Sequence, residues 1–208
     1  EMWVNVSKSQ EKSVIKTDSK IKKFLIFLRR FTKIPIVKLL KTKNQILHSP
    51  SILPSSWIKK INESNADIIN LHWIQHEMLS ISDIPKIKKP IIWTLHDMWG
   101  FCGAEHVSWD NRWHDGYRNN NRPSHEKGFD LNRWTWSRKL KYWKKPIQII
   151  TPSSWLTNCV KNSKLMRDWP CVTIPNVIDT EFWKPEDKHF SRQALNLPKN
   201  NFILAFGS

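Results

Sequence analysis

Residues 91–106 read IIWTLHDMWGFCGAEH. An apolar run, Ile91 to Leu95, stops at His96-Asp97 and passes into a segment that carries Trp99 and Gly100. The run is continuous rather than alternating, which predicts a strand buried on both faces, as in a parallel sheet covered by helices. A histidine and an aspartate where such a strand stops need an explanation, and the flanking sequence supplies one.

Upstream, residues 67–74 (DIINLHWI) predict a second strand, with His72 near its end. Downstream, residues 147–151 (IQIIT) and 171–174 (CVTI) predict two more. Between the strands lie helical signals. Ile21, Phe24, Leu25, Leu28 and Phe31 form an apolar stripe within a basic segment, residues 20–33. Ser55-Ser56 predicts a cap for a helix through Ile61, residues 82–89 predict a short helical piece, and Pro152-Ser153-Ser154 opens a helix over 154–162. Residues 2–6 alternate like a strand, 179–195 predict a turn and a helix, and 202–206 a strand reaching Gly207. Strands alternating with helices imply an α/β fold with a parallel sheet. Ligands of such sheets bind beyond the carboxyl ends of the strands. His72, His96, Asp97 and the segment Thr151 to Ser154 should therefore converge on one crevice.

Each candidate has two readings. His96 could hydrogen-bond a substrate hydroxyl or phosphate or move a proton, with Asp97 orienting it; it could also cap a loop. His72 and His76 are four residues apart, but His72 closes a strand and no H-E-x-x-H is present, so no metal site is expected. Ser153 could help a helix start to hold an anion or could cap that helix. No G-x-G-x-x-G and no P-loop pattern occurs among five glycines.

The 208 residues hold 34 Lys+Arg against 18 Asp+Glu, a formal net charge of +16, which suits phosphate-bearing partners. Thirteen Trp suit interfaces and sugar- or lipid-facing surfaces as well as a core. Three cysteines and no C-x-x-C predict free thiols and a reducing compartment. No apolar run approaches the ~20 residues of a membrane span. FLIFL at 24–28 is hemmed in by Lys22, Lys23, Arg29 and Arg30. The insertion from Trp99 to Lys145 carries Trp136, Leu140 and Trp143 at i, i+4 and i+7, with Arg133, Arg138, Lys141 and Lys144 on other faces. Both basic helices suit an anionic membrane surface, or helices packed on the sheet with solvated charges. No nucleic-acid-binding module is recognisable.

Four motifs, ADIINLHWI, KPIIWTLHDMWGFCGAEH, IITPSSWLTNCVKNS and VTIPNVIDTEFWKP, occur in this order. Together they resemble the N-terminal half of a family 4 glycosyltransferase, closest to bacterial members that build surface polysaccharides. The resemblance runs from about Trp3 to Ser208. It implies the GT-B architecture of two Rossmann-like domains. It also implies retaining transfer of a sugar from a nucleotide sugar to a polysaccharide or lipid-linked acceptor, with no metal or other cofactor. Residues 1–175 would be the Rossmann-like acceptor-side domain without its first strand and glycine loop. Residues 176–201 would be the linker and its helix, and 202–208 the first strand of the donor-side domain. His96 and Asp97 would be catalytic. His72, Trp73, Trp99, Glu105, His106 and Ser153 would contact acceptor or substrate, and Asn176 and Asp179 would fix the hinge. Val177 stands where the family usually has Gly. The 208 residues, read as a piece of a longer chain, are expected not to catalyse transfer alone. The enzyme would sit at the cytoplasmic face of the cell membrane and bind no nucleic acid. The alternatives are a non-catalytic basic module for anionic lipid or nucleic acid, and a hydrolase using His96-Asp97, although no G-x-S-x-G is present.

Overall fold

The computed structural model describes residues 1–5, 7–8, 10–16, 20–75 and 77–204, with only the backbone at 21–23, 25–26 and 30. A short parallel pair, β1 (Met2–Trp3) with β2 (Val14–Ile15), precedes helix α1 (Lys20–Lys38). Then come β3 (Leu40–Lys41), α2 (Trp57–Glu63), β4 (Ile69–His72) and β5 (Ile91–Thr94). The insertion contributes α3 (Arg112–Asp115), β6 (Lys127–Gly128) and α4 (Leu131–Tyr142). Next follow β7 (Gln148–Thr151), α5 (Ser154–Asn162), β8 (Cys171–Thr173) and α6 (Lys188–Ala194).

Strands β4, β5, β7 and β8 form one parallel sheet in that order, with Leu71 beside Trp93 and Trp93 beside Ile149. Helices flank it, so the molecule is mixed α/β and compatible with a Rossmann-like arrangement. The four sheet strands and α5 fall where the apolar runs and the Pro-Ser-Ser start place them. Contacts divide the chain into Glu1–Pro175 and Asn176–Ser208, and the sheet and core belong to the first unit.

Three sequence expectations change. Residues 82–89 form only a single-turn 3-10 helix, Ile84–Lys86. Asp83 spends its carboxylate on the backbone N–H groups of Ser55 (2.8 Å) and Ser80 (3.0 Å), which holds the segment as a loop anchor. Residues 2–6 give a two-residue strand outside the main sheet, and Val6 lies outside the described residues. Phe202 to Leu204 are not a strand, since no ladder partner meets them among the described residues; 205–208 lie outside these.

The core takes Leu71, Trp93 and Ile149 from the sheet, Trp99 and Phe101 from the segment after β5, and Leu156, Val160 and Met166 from α5 and the turn beyond it. Trp93, Trp99 and Trp143 meet edge to face, with centroids 5.2–6.1 Å apart. Trp143 also donates to the Ile81 carbonyl at 2.8 Å. The Trp136–Trp143 stripe of α4 thus faces the protein, and of its three members only Leu140 is exposed.

A buried cation holds α4 in place. Lys139 donates from Nζ to the carbonyls of Trp99, Cys102 (3.0 Å) and Gly103 (2.7 Å), and lies 3.9 Å over the Trp99 ring. Three N–H groups meet three acceptors, so its hydrogen bonding is complete. Burial pulls its pKa down to about 7. Arg112, also buried, binds Asp110 and Glu126 (2.8 Å to the latter) and ties two parts of the insertion together. At Gly128 (φ +73°) a Cβ would stand 2.3 Å from the Leu39 carbonyl, so only glycine lets β6 pair with β3.

Candidate functional site

The sheet register sets the site. His72 ends β4 beside Thr94 of β5, and Thr94 lies beside Ile150 of β7. His96 follows two residues after β5. The carboxyl ends of three adjacent strands therefore carry His72, His96 and Thr151. His72 Nδ1 and His96 Nε2 are 3.0 Å apart, with ring centroids at 5.3 Å, and both residues are exposed. One nitrogen of the contact must donate and the other accept, so the bonded pair cannot be doubly charged. Burial, then the neighbouring His96, holds the His72 pKa below the usual histidine value. The ring atoms not spent on the contact are His72 Nε2 and His96 Nδ1. Two residues back on β4, Asn70 Oδ1 accepts from the Thr94 hydroxyl at 3.1 Å.

A groove of about 800 Å³ runs along the outer edge of β4, with Trp3, Trp57, Asn70, His72, Trp73 and Met78 among its walls. Trp73 is 44% exposed and holds φ at +38°, an uncommon backbone state for a bulky residue. That turn brings its ring to 6.0 Å from the His106 ring, against the rim of the site.

Behind the histidine pair lies an enclosed polar chain. Asp97 Oδ1 accepts from the Trp99 N–H at 2.9 Å, and its Oδ2 meets His106 Nδ1 at 2.7 Å. His106 Nε2 meets the Ser49 hydroxyl at 2.9 Å, and Trp99 Nε1 donates to the Ser49 carbonyl at 2.7 Å. The atom order is that of a Ser-His-Asp triad. Yet Ser49 is 1% exposed and His106 5%, so no acyl group reaches the hydroxyl. The chain is a scaffold beneath the exposed pair.

This geometry corrects several sequence expectations. Asp97 binds His106 instead of orienting His96. Trp99 and His106 are buried and hydrogen-bonded to Ser49. Glu105 is buried too, and accepts from the Tyr117 hydroxyl. Burial pushes its carboxyl up to about 7 against the lowering effect of that bond. Ser153 caps α5 by accepting from the Leu156 N–H at 3.3 Å. His76 lies outside the described residues. In the second unit Asn176 is exposed, and Asp179 accepts from the N–H groups of Glu181 and Phe182, closing a turn.

Two residues expected at a membrane surface turn inward. Arg29 donates to the carbonyls of Leu53 (2.8 Å), Pro54 (2.7 Å) and Glu77 (2.9 Å). Arg138 donates to those of Pro50 (2.6 Å) and Ser51 (2.9 Å) and stacks on Trp134. Each guanidinium thus ties loop carbonyls to its helix. Arg133 is half-buried, while Lys141 and Lys144 are exposed; the side chains of Lys22, Lys23 and Arg30 lie outside the described ones.

Sequence reasoning missed Ser49, and placed Glu77 with His76 in a candidate cluster without seeing its role. Glu77, buried with φ at +62°, accepts from the N–H groups of Ile52 (2.8 Å) and Leu53 (2.9 Å) and so holds the loop bearing Ser49. Their partners lie 24–57 residues away, and no local pattern marks them. Comparison with protein families, curated proteins and solved structures gives no match.

Proposed function

We propose that the chain forms the acceptor side of a retaining glycosyltransferase of GT-B architecture. A sugar would pass from a nucleotide sugar to a surface-polysaccharide or lipid-linked glycan at the cytoplasmic membrane face. The observation that carries the reading is the His72–His96 pair at the carboxyl ends of adjacent parallel strands, where ligands of open α/β sheets sit. The adjoining groove offers Trp73 as a half-open apolar platform and Asn70 as a polar group, a combination suited to a sugar's two faces. In this reading His96 Nδ1 and His72 Nε2 hydrogen-bond acceptor hydroxyls, and the shared proton fixes which nitrogen donates. Positioning of the acceptor is the contribution; charge stabilisation on the leaving nucleotide would come from groups outside these residues.

Ligand-observed NMR with a panel of short bacterial glycans tests it. Binding is expected, with His72 and His96 ring resonances shifting and His96→Ala lowering affinity by about tenfold, the scale of a lost hydrogen bond with an unpaired partner. Absence of glycan binding, or binding indifferent to His96→Ala, overturns the reading. Sugar transfer by the 208 residues alone would overturn the acceptor-side assignment while keeping the chemistry.

A further inference from the structure

We infer that the outer face of α1 lies in the surface of an anionic lipid bilayer, and that α4 takes no part. This does not depend on the sugar-transfer reading. One side of helix α1 is anchored: Arg29 reaches three loop carbonyls, and Ile36 and Val37 pack against Leu40 and Leu131. On the other side Phe24, Phe27, Leu28, Phe31 and Ile34 recur at helical spacing and are exposed, the three phenylalanines by 59%, 54% and 48%. Phe27 and Phe31 touch edge to face at 4.8 Å, so the face is a joined apolar ridge. The loop after the helix extends it with exposed Leu39, Ile46 and Leu47. Ridges of this kind mark interaction surfaces.

Charge selects the occupant. From Lys20 to Asn62 the sequence has no Asp or Glu, and Lys20, Lys38, Lys41 and Lys43 are exposed around the ridge. A second copy of this chain would bring the same cationic rim against itself. Nucleic acid would engage the lysines and leave the phenylalanines in water. An anionic bilayer satisfies both, phosphates against the rim and acyl chains against the ridge. Among the described residues no helix is long and apolar enough to cross a membrane, so the contact is in the plane of the interface. On α4, by contrast, Trp136 and Trp143 are buried and Arg138 is engaged.

Co-sedimentation of the full chain with phosphatidylcholine vesicles, with and without phosphatidylglycerol, tests this. Binding only to the anionic vesicles is expected. Phe27→Ser with Phe31→Ser should lower the partition coefficient by about tenfold or more, as should Lys38→Gln with Lys41→Gln and Lys43→Gln. Lys141→Gln with Lys144→Gln should leave it unchanged, and circular dichroism melts should match wild type in all three. Equal binding to both vesicle types, or phenylalanine variants that fold and bind normally, overturns the inference. So does a dimer in sedimentation equilibrium that the phenylalanine changes dissolve, or duplex DNA binding that displaces vesicles and ignores those changes.

Discussion

His72 and His48 are both held below the ordinary histidine value. For His72 the causes are burial and then His96; for His48, burial leads, opposed by the Ile46 carbonyl and aided by His106 and Lys33. Each binds fewer protons folded than unfolded, so stability rises with pH through the window just below the ordinary value of 6.5. It is complete above that value and drains as pH falls through it. From about pH 7 to about 5 these two histidines pull the thermal midpoint down, while Glu105, whose raised carboxyl takes up its proton first in the folded state, pulls it up. His48 Nδ1 lies 2.7 Å from the Ile46 carbonyl, a contact an asparagine amide can replace. His48→Asn should keep the fold and weaken the downward pull, raising the midpoint at about pH 5 relative to that at about pH 7. An unchanged difference between the two pH values would place the histidine share at His72.

At the scale of elements, α4 shows how a pattern can be right and its direction wrong. The spacing of Trp136 and Trp143 marks a helix correctly, but the face they define is buried, Trp143 against Trp93 of the sheet and Trp136 against Tyr117. The reason is Lys139, which enters the interior because three carbonyls, 36 to 40 residues earlier in sequence, converge on its ammonium. Removing that ammonium would strand those carbonyls. Lys139→Met is expected to cost about 3 kcal/mol or more in urea unfolding. Lys141→Met, one residue on and exposed, should stay within about 0.5 kcal/mol of wild type. Equal costs at both positions would show that the cation merely fills space.

Across the whole molecule, legibility follows the range of the interactions. The parallel strands were readable because burial on both faces makes them continuously apolar, and α5 because Ser153 caps it locally. The exposed histidines were readable because a strand end is itself a local signal. Trp99, Glu105 and His106 were misplaced because their partners, Ser49 and Tyr117, come from other segments and turn them inward. Arg29 and Arg138 were misplaced for the same reason: loop carbonyls far away in sequence claim a charge that composition assigns to the surface.

The same buried hub gives the molecule an internal clock. Cys102 lies beneath Lys139 with no exposure, and burial, with Glu105 nearby, pushes its thiol well above the ordinary range. A thiol in that state is protonated and out of reach, so alkylation must wait for the insertion to lift from the sheet. Cys171 is only half-buried and should react first. Mass-spectrometric timing of iodoacetamide labelling should therefore separate the two sites, and Lys139→Met should speed Cys102 selectively. The lag at Cys102 would then time the opening of the layer beneath the histidine pair, in a chain that carries its own probe.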